Sequence, residues 1–256
     1  LHRACSLGLQ ARVFEAGSDV GGTWYWNRYP GARCDTESME YSYGFDHDLQ
    51  QEWDWSERYA TQPEILRYAN HVADRFDLRR DVTFDTRVVR AAFNDDTSTW
   101  AVATDGGERV TARFVVMATG CLSSANTPEF AGMSDYAGRI LHTGRWPHEP
   151  VDFGGERVAV IGTGSSAIQS IPIIAKQAAH LTVFQRTPNY AIPAHNQPLD
   201  PDLVAELRTR YDEFRAENRT MTAAFGSRIP RYDVPTLAVD DDERWEQLER
   251  RWQYGG

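Results

Sequence analysis

The chain predicts an α/β fold in which short parallel strands alternate with helices, and three observations lead there. Residues 11–15 (ARVFE) and 157–161 (RVAVI) are apolar runs of buried-strand length. The second passes directly into a glycine-rich turn, Gly162-Thr163-Gly164-Ser165-Ser166-Ala167, that opens a helical pattern. Residues 181–186 (LTVFQR) then supply the next strand, completing a β-turn-α-β unit of about 30 residues, the context such a turn requires.

In chain order, residues 1–9 read as the tail of a helix that stops at Gly8, glycine being the common residue just past a helix end. The strand over 11–15 places Glu15 at its carboxyl end, where an acid can bind a ribose hydroxyl about 20 residues beyond a glycine fingerprint. That fingerprint would precede residue 1; an ordinary surface glutamate after a strand fits the position equally well. Residues 21–38, rich in glycine and aromatics and without a period, read as a long ordered loop of the functional kind. Thr61-Gln62-Pro63-Glu64 is a capping-box start, and Ile65, Leu66, Ala69, Val72, Ala73 and Phe76 share one helical face. Strands over 82–93, 97–104 and 109–118, with Asp105-Gly106-Gly107 as a turn, form a meander running into the buried stretch FVVMATG, which Gly120 ends sharply. After the glycine turn a helix runs from Ser166 to about Ala179. Leu203, Leu207, Tyr211 and Phe214 then mark one helix, and Trp245, Leu248 and Trp252 another, in a helical segment over 200–256.

Composition narrows the function. A net charge of −10 argues against a nucleic-acid partner and against a basic membrane-binding face. No apolar run approaches the roughly 20 residues of a membrane span. The three cysteines, Cys5, Cys34 and Cys121, are scattered and form no metal or disulfide pattern, which favours a reduced cytoplasmic setting. The start at Leu1 and the stop just after a helical pattern suggest a piece of a longer protein.

The turn 162–167 is the strongest physical signal. Its first glycine permits the tight bend and its second lets the backbone approach a pyrophosphate. Ala167 allows close helix–strand packing, and the helix start offers N–H groups to the anion. This predicts dinucleotide binding. Arg186 closes the next strand where an acid would prefer a free 2′-hydroxyl; an arginine accommodates a 2′-phosphate, so the pocket reads as NADP(H), with Thr187 adding a hydroxyl. A solvated strand-end arginine is the plainer alternative. Asp35, close to Arg33, is either a carboxylate that tunes a cofactor cleft or a turn-capping aspartate. His142 and Trp146 have ordinary packing readings. No metal-ligand spacing and no G-x-S-x-G elbow occurs, so no metal is assigned and hydrolase chemistry has no support.

Two long motifs remain. Tyr136-x-Gly138-x-x-x-His142-x-x-x-Trp146-Pro147 resembles the linker signature F-x-G-x-x-x-H-x-x-x-W-[P/D] of the type I Baeyer–Villiger monooxygenases, departing only in Tyr for Phe. Gly21-Gly22-Thr23-Trp24 through Tyr29-Pro30-Gly31 to Asp35 resembles that family's second signature, and Ala118-Thr119-Gly120 its exit strand. The resemblance covers essentially the whole chain. It implies two dinucleotide-binding, Rossmann-like domains, both incomplete: an FAD-binding domain over 1–135, a linker over 136–153 and an NADP-binding domain over 154–256. FAD would meet Glu15, Thr23, Trp24, Asp35, Tyr41 and Val88; NADPH would meet Thr163, Gly164, Ser165, Ser166, Gln169, Arg186 and Thr187. Arg33-Cys34-Asp35 would lie between the cofactors, with Asp35 as the catalytic carboxylate that pairs with an arginine beyond residue 256. Gly138, His142 and Trp146 would couple the domains. The implied reaction inserts one oxygen of O2 into a small ketone, through a C4a-peroxyflavin, to give an ester or lactone; a monomer is expected. Oxidation of nitrogen or sulfur by a related flavin monooxygenase, or a non-catalytic NADP-binding module, are the alternatives.

Overall fold

The computed structural model describes residues 1–255, and the chain divides into two compact units: residues 1–29 with 62–151, and 30–61 with the chain from Asp152 onward. The first unit opens with the helical turn His2–Ser6. As expected, it closes at Gly8: Gly8 N–H bonds the Cys5 carbonyl at 2.9 Å and Leu9 N–H the Ala4 carbonyl at 3.0 Å, the paired bonds of a Schellman end. Strand β1 (Val13–Phe14) lies parallel to β2 (Val82–Thr83), Val13 opposite Val82. Helix α1 (Gln62–Arg75) falls between them in the chain and buries Ile65, Tyr68, Val72 and Ala73 along one stripe. Leu66, Ala69 and Phe76, expected on the same face, are only half-covered.

The meander is β3 (Val88–Asn94), β4 (Thr99–Thr104) and β5 (Arg109–Ala112), all antiparallel, with Phe93 opposite Trp100 and their rings 5.3 Å apart. Two expectations are corrected here. Residues 82–93 are not one strand: β2 pairs with β1 and β3 with β4, so the chain must leave one sheet before entering the other. Residues 113–118 are not a buried strand either, and Val116 is 88% exposed. An apolar run becomes a strand only where a neighbour takes its backbone groups, and no strand among the described residues does so.

In the second unit β6 (Arg157–Ile161) and β7 (His180–Phe184) are parallel, in register from Arg157 opposite His180 to Ile161 opposite Phe184, with α2 (Ser165–Ala175) between them. This is the expected β-turn-α-β unit with two adjustments. Arg186 lies just past β7 rather than within it, and the strands are not buried, Ile161 and Phe184 being exposed. Helix α2 also stops at Ala175 instead of near 179. The helical run from Pro201 is broken at Arg210 into α3 (Pro201–Thr209) and α4 (Tyr211–Arg219). Leu207, Tyr211 and Phe214 nonetheless form the core of this unit with Met39, Leu49 and Trp55. Helix α5 (Asp241–Tyr254) starts on Asp240, whose side chain accepts the Glu243 N–H. Its expected apolar face is uncovered, with Trp245 70% exposed. Short helical turns at Thr23–Trp26, Ser38–Tyr41 and His47–Glu52 interrupt the aromatic loop and its continuation. No described helix is long and apolar enough to cross a membrane.

Candidate functional site

The glycine turn is shaped to receive a backbone-bound anion. Gly162 sits at φ +105°, a conformation that disfavours any side chain, and the space where a Cβ would stand on Gly162 or Gly164 is open to beyond 4 Å. Helix α2 begins on Gly164 with no side chain capping its first turn, so its leading N–H groups face the turn with the positive end of the helix dipole. Thr163 is held from outside the motif. Its Oγ1 accepts from Gln185 Nε2 at 2.9 Å and Asn189 Nδ2 at 3.1 Å, and its carbonyl accepts from Asn189 Nδ2 at 2.7 Å. Arg186 and Thr187 are exposed immediately after β7.

Helix α2 also holds the segment that carries Asp35. Gln169, four residues into the helix, bonds it three times. Its Oε1 accepts the Arg33 N–H at 3.2 Å, and its Nε2 donates to the Arg33 carbonyl at 3.2 Å and to Asp35 Oδ1 at 2.8 Å. Gly31, at φ +77°, lies so close to the helix that a Cβ would overlap the Gln169 carbonyl. Asp35 is therefore bound by a side chain far away in sequence, which differs from the turn-capping alternative. Arg33 reaches the Tyr59 carbonyl and stands 3.6 Å from Glu57. Cys34 is buried; its N–H bonds the Ala60 carbonyl at 3.0 Å, and burial pushes its thiol up against the lowering effect of Thr36.

Two residues beyond Asp35, Glu37 is 8% exposed and surrounded by cations and a phenol. Arg58 contacts its Oε1 at 2.7 Å, Arg228 its Oε2 at 3.2 Å, and the Tyr254 hydroxyl donates to Oε1 at 2.7 Å. Burial and the Glu37 carboxylate together push the Tyr254 phenol far up. This cluster joins positions more than 190 residues apart, and no local pattern in the sequence announces it.

The other candidates divide between the units. In the first, Glu15 follows β1; its Oε1 takes the Gly17 N–H at 2.7 Å, and its backbone continues the pairing with Thr83 and Thr86. Thr23 and Trp24 form the start of a helical turn, and Gln62 donates to the Trp24 carbonyl. Val88 is exposed at the start of β3, beside a register shift. Tyr41, in the second unit, is exposed at the end of a helical turn. In the linker segment, the Tyr136 ring lies against Gly138 where a Cβ would stand. His142 Nδ1 accepts the Gly144 N–H and its Nε2 bonds the Asn126 carbonyl, both at 3.1 Å. That pairing ties the ring to the backbone on both sides, a turn-forming role. Trp146 is half-buried. His148, two residues on, stands edge-to-face with Tyr25 of the aromatic loop at 5.0 Å, a contact between the two signature segments that their spacing in sequence does not reveal. No described group of three or more His, Cys, Asp or Glu is placed to hold a metal ion.

An open glycine turn on a parallel β-α-β unit defines a nucleotide-binding oxidoreductase architecture, and residues 37–248 match the family model described as pyridine nucleotide-disulphide oxidoreductase. The chain belongs to that family. Within it the chain groups with the type I Baeyer–Villiger monooxygenases. It is 48% identical over 249 residues to a Baeyer–Villiger monooxygenase of Pseudooceanicola batsensis, an alignment covering 97% of this chain and 45% of that protein. The structure of an oxidized steroid monooxygenase bound to NADP superposes with a TM-score of 0.92 at 56% identity, covering 100% of this chain and 48% of the other. The OTEMO complex with FAD and NADP gives 0.92 at 41% identity, with the same coverage. The chain thus spans somewhat under half the length of these relatives.

Proposed function

We propose that this chain forms the FAD- and NADPH-binding part of a monooxygenase that inserts one oxygen of O2 into a small ketone to give an ester or lactone. The observation that carries the reading is the uncapped helix start at Ser165 above open glycines, with Arg186 beyond the next strand. In this reading the N–H groups of Gly164, Ser165 and Ser166 hold the NADPH pyrophosphate, Thr163 and Gln169 flank it, and Arg186 with Thr187 binds the 2′-phosphate. Glu15, fixed through one oxygen by Gly17, offers its carboxylate to the FAD ribose, Thr23, Trp24 and Tyr41 contact FAD, and Val88 lines its adenine side. The FAD-binding domain takes residues 1–135 and the NADP-binding domain 154–256, with the linker 136–153 joining them. When bound, the two cofactors supply hydride transfer and activation of O2.

Asp35 is the catalytic carboxylate. It would orient an arginine contributed elsewhere in the whole protein, and that cation would stabilise negative charge developing on the substrate oxygen. Arg33 and Asp35 are tied to the NADPH-binding helix through Gln169, and His142 holds the linker turn rather than moving protons. The same reading takes the protein to work in the cytoplasm, as a monomer.

The test is ketone-dependent NADPH oxidation by the full-length protein, with ester and consumed O2 measured together and a sulfide assayed in parallel. Ester formation supports the reading; hydrogen peroxide alone across a broad ketone panel, or turnover confined to nitrogen and sulfur compounds, overturns it. Replacing Arg186 by Ala is expected to cost about 1–3 kcal/mol of NADPH preference over NADH, one charged hydrogen-bonding contact. An unchanged ratio of kcat/KM for the two nucleotides would remove Arg186 from the site.

A further inference from the structure

We propose that Gln169 is a positioning residue that sets the orientation of the Asp35 carboxylate and ties it to the helix start that holds the dinucleotide. The inference rests on the role of Asp35 and of α2 in the function proposed above, and adds a link between them.

Four observations support it. Asp35 is exposed while Cys34 and Glu37 on either side are buried, so its backbone is anchored and its side chain is otherwise able to turn in water. Among the described residues, the side-chain partner of its carboxylate is the Gln169 amide, at 2.8 Å. The same amide closes on both polar backbone groups of Arg33, so both ends of the Gln169 side chain are spent on this one loop. Finally, Gly31 brings the loop backbone against the Gln169 carbonyl, leaving no slack between helix and loop.

The consequence is mechanical. Gln169 lies four residues after Ser165, about 6 Å along the helix axis. An anion at the helix start and the amide on Asp35 therefore sit on one rigid turn. Displacement of α2 by the nucleotide moves the Asp35 oxygen with it. A side chain serving only to contact the nucleotide would have no need of three bonds to a loop 134–136 positions away.

The test uses the full-length protein with both cofactors. Gln169→Met keeps the size and removes the hydrogen bonds; because Gln169 also flanks the nucleotide, some loss of NADP⁺ affinity, read by titration of the flavin spectrum, is expected, but smaller than the loss of coupled product formation measured at saturating NADPH. Coupled product formation is expected to fall roughly tenfold or more, the scale of a lost bond to a charged group, with the electrons of the consumed NADPH passing to O2 and appearing as hydrogen peroxide beside NADP⁺. In an Asp35→Asn background Gln169→Met should add nothing further. A variant that weakens only NADP⁺ binding at full coupled kcat, or one whose loss is additive with Asp35→Asn, overturns the proposal. Should Asp35→Asn itself retain full coupled turnover, the catalytic role of Asp35 fails instead, and the two failures are distinguishable. Thermal unfolding gives an activity-free check. Gln169→Glu sets two carboxylates together and should lower Tm, and Q169E/D35N, which restores a carboxylate–amide bond with the partners exchanged, should recover part of it, the bond to the Arg33 carbonyl staying lost; no recovery at all counts against the link.

Discussion

Glu37 is a carboxylate withdrawn from water, with Arg58, Arg228 and the Tyr254 hydroxyl arranged around it. Its two oxygens are satisfied, so it is tolerated, but removing it leaves a guanidinium in a poorly hydrated place. Glu37→Ala is expected to destabilise the protein by about 3–5 kcal/mol, the cost of breaking a buried pair from one side; urea unfolding measures it, and a loss below about 1 kcal/mol would mean that water replaces the carboxylate freely. Glu40 behaves differently. Burial holds its carboxyl above the ordinary carboxylate range, partly offset by the Gly226 N–H it accepts. Between the ordinary and the raised value the folded state binds more protons than the unfolded chain. Glu40 therefore makes stability decline as pH rises through that window, with no further change above it. Glu40→Gln keeps an acceptor for Gly226 and removes this decline, so the unfolding free energy of the variant should gain on the parent across the window and hold the gain at neutral pH. A parallel pH profile for the two proteins would rule out Glu40 as the group responsible. Neither residue stood out in the sequence, because what makes each one special is its distant neighbours.

At the scale of elements, the loop 30–37 depends on one glycine. Gly31 combines a positive φ with direct contact to the α2 backbone. Gly31→Ala is expected to cost about 1–3 kcal/mol for the backbone conformation alone, and the overlap with the Gln169 carbonyl must in addition push loop and helix apart. The bonds from Gln169 to Arg33 and Asp35 are then lost, so amide exchange at Arg33 should accelerate along with the fall in stability. Unchanged protection at Arg33 would show that the loop is held by other contacts. The contrast between this loop and the glycine turn explains what the sequence could reveal. The turn at 162–167, its flanking strands and α2 were legible, since a β-turn-α-β unit is specified by neighbours within about 30 residues. The Schellman end at Gly8 and the meander were legible for the same reason. The strand expected at 113–118 failed because strand formation needs a partner that periodicity does not supply, and the break at Arg210 failed because Leu203 to Phe214 keep one helical period across it. Of the site, Asp35 was singled out from its place in the aromatic loop and Gln169 through family likeness, but their bond to each other emerged only from the fold.

For the whole molecule the decisive quantity is surface. Each unit exposes strongly apolar positions: Phe114, Val116 and Met117 in the first, and Ile161, Phe184, Leu237 and Trp245 in the second. Such surface on a protein normally meets another surface, and the relatives this chain matches carry more than as much chain again. The net charge of −10 opposes association, but charge repulsion between solvated groups is screened within about 8–10 Å at ordinary salt, while apolar contact gains roughly 25 cal/mol per Å² buried. The 256 residues alone are therefore expected to bind a hydrophobic-surface dye strongly and to self-associate with rising concentration, more so at high salt, whereas a full-length protein containing them should do neither. Dye fluorescence and sedimentation on both species decide it. A dye-silent, monomeric 256-residue chain would mean that these faces are stable in water as they stand, and that the rest of the protein is needed for chemistry but not for solubility.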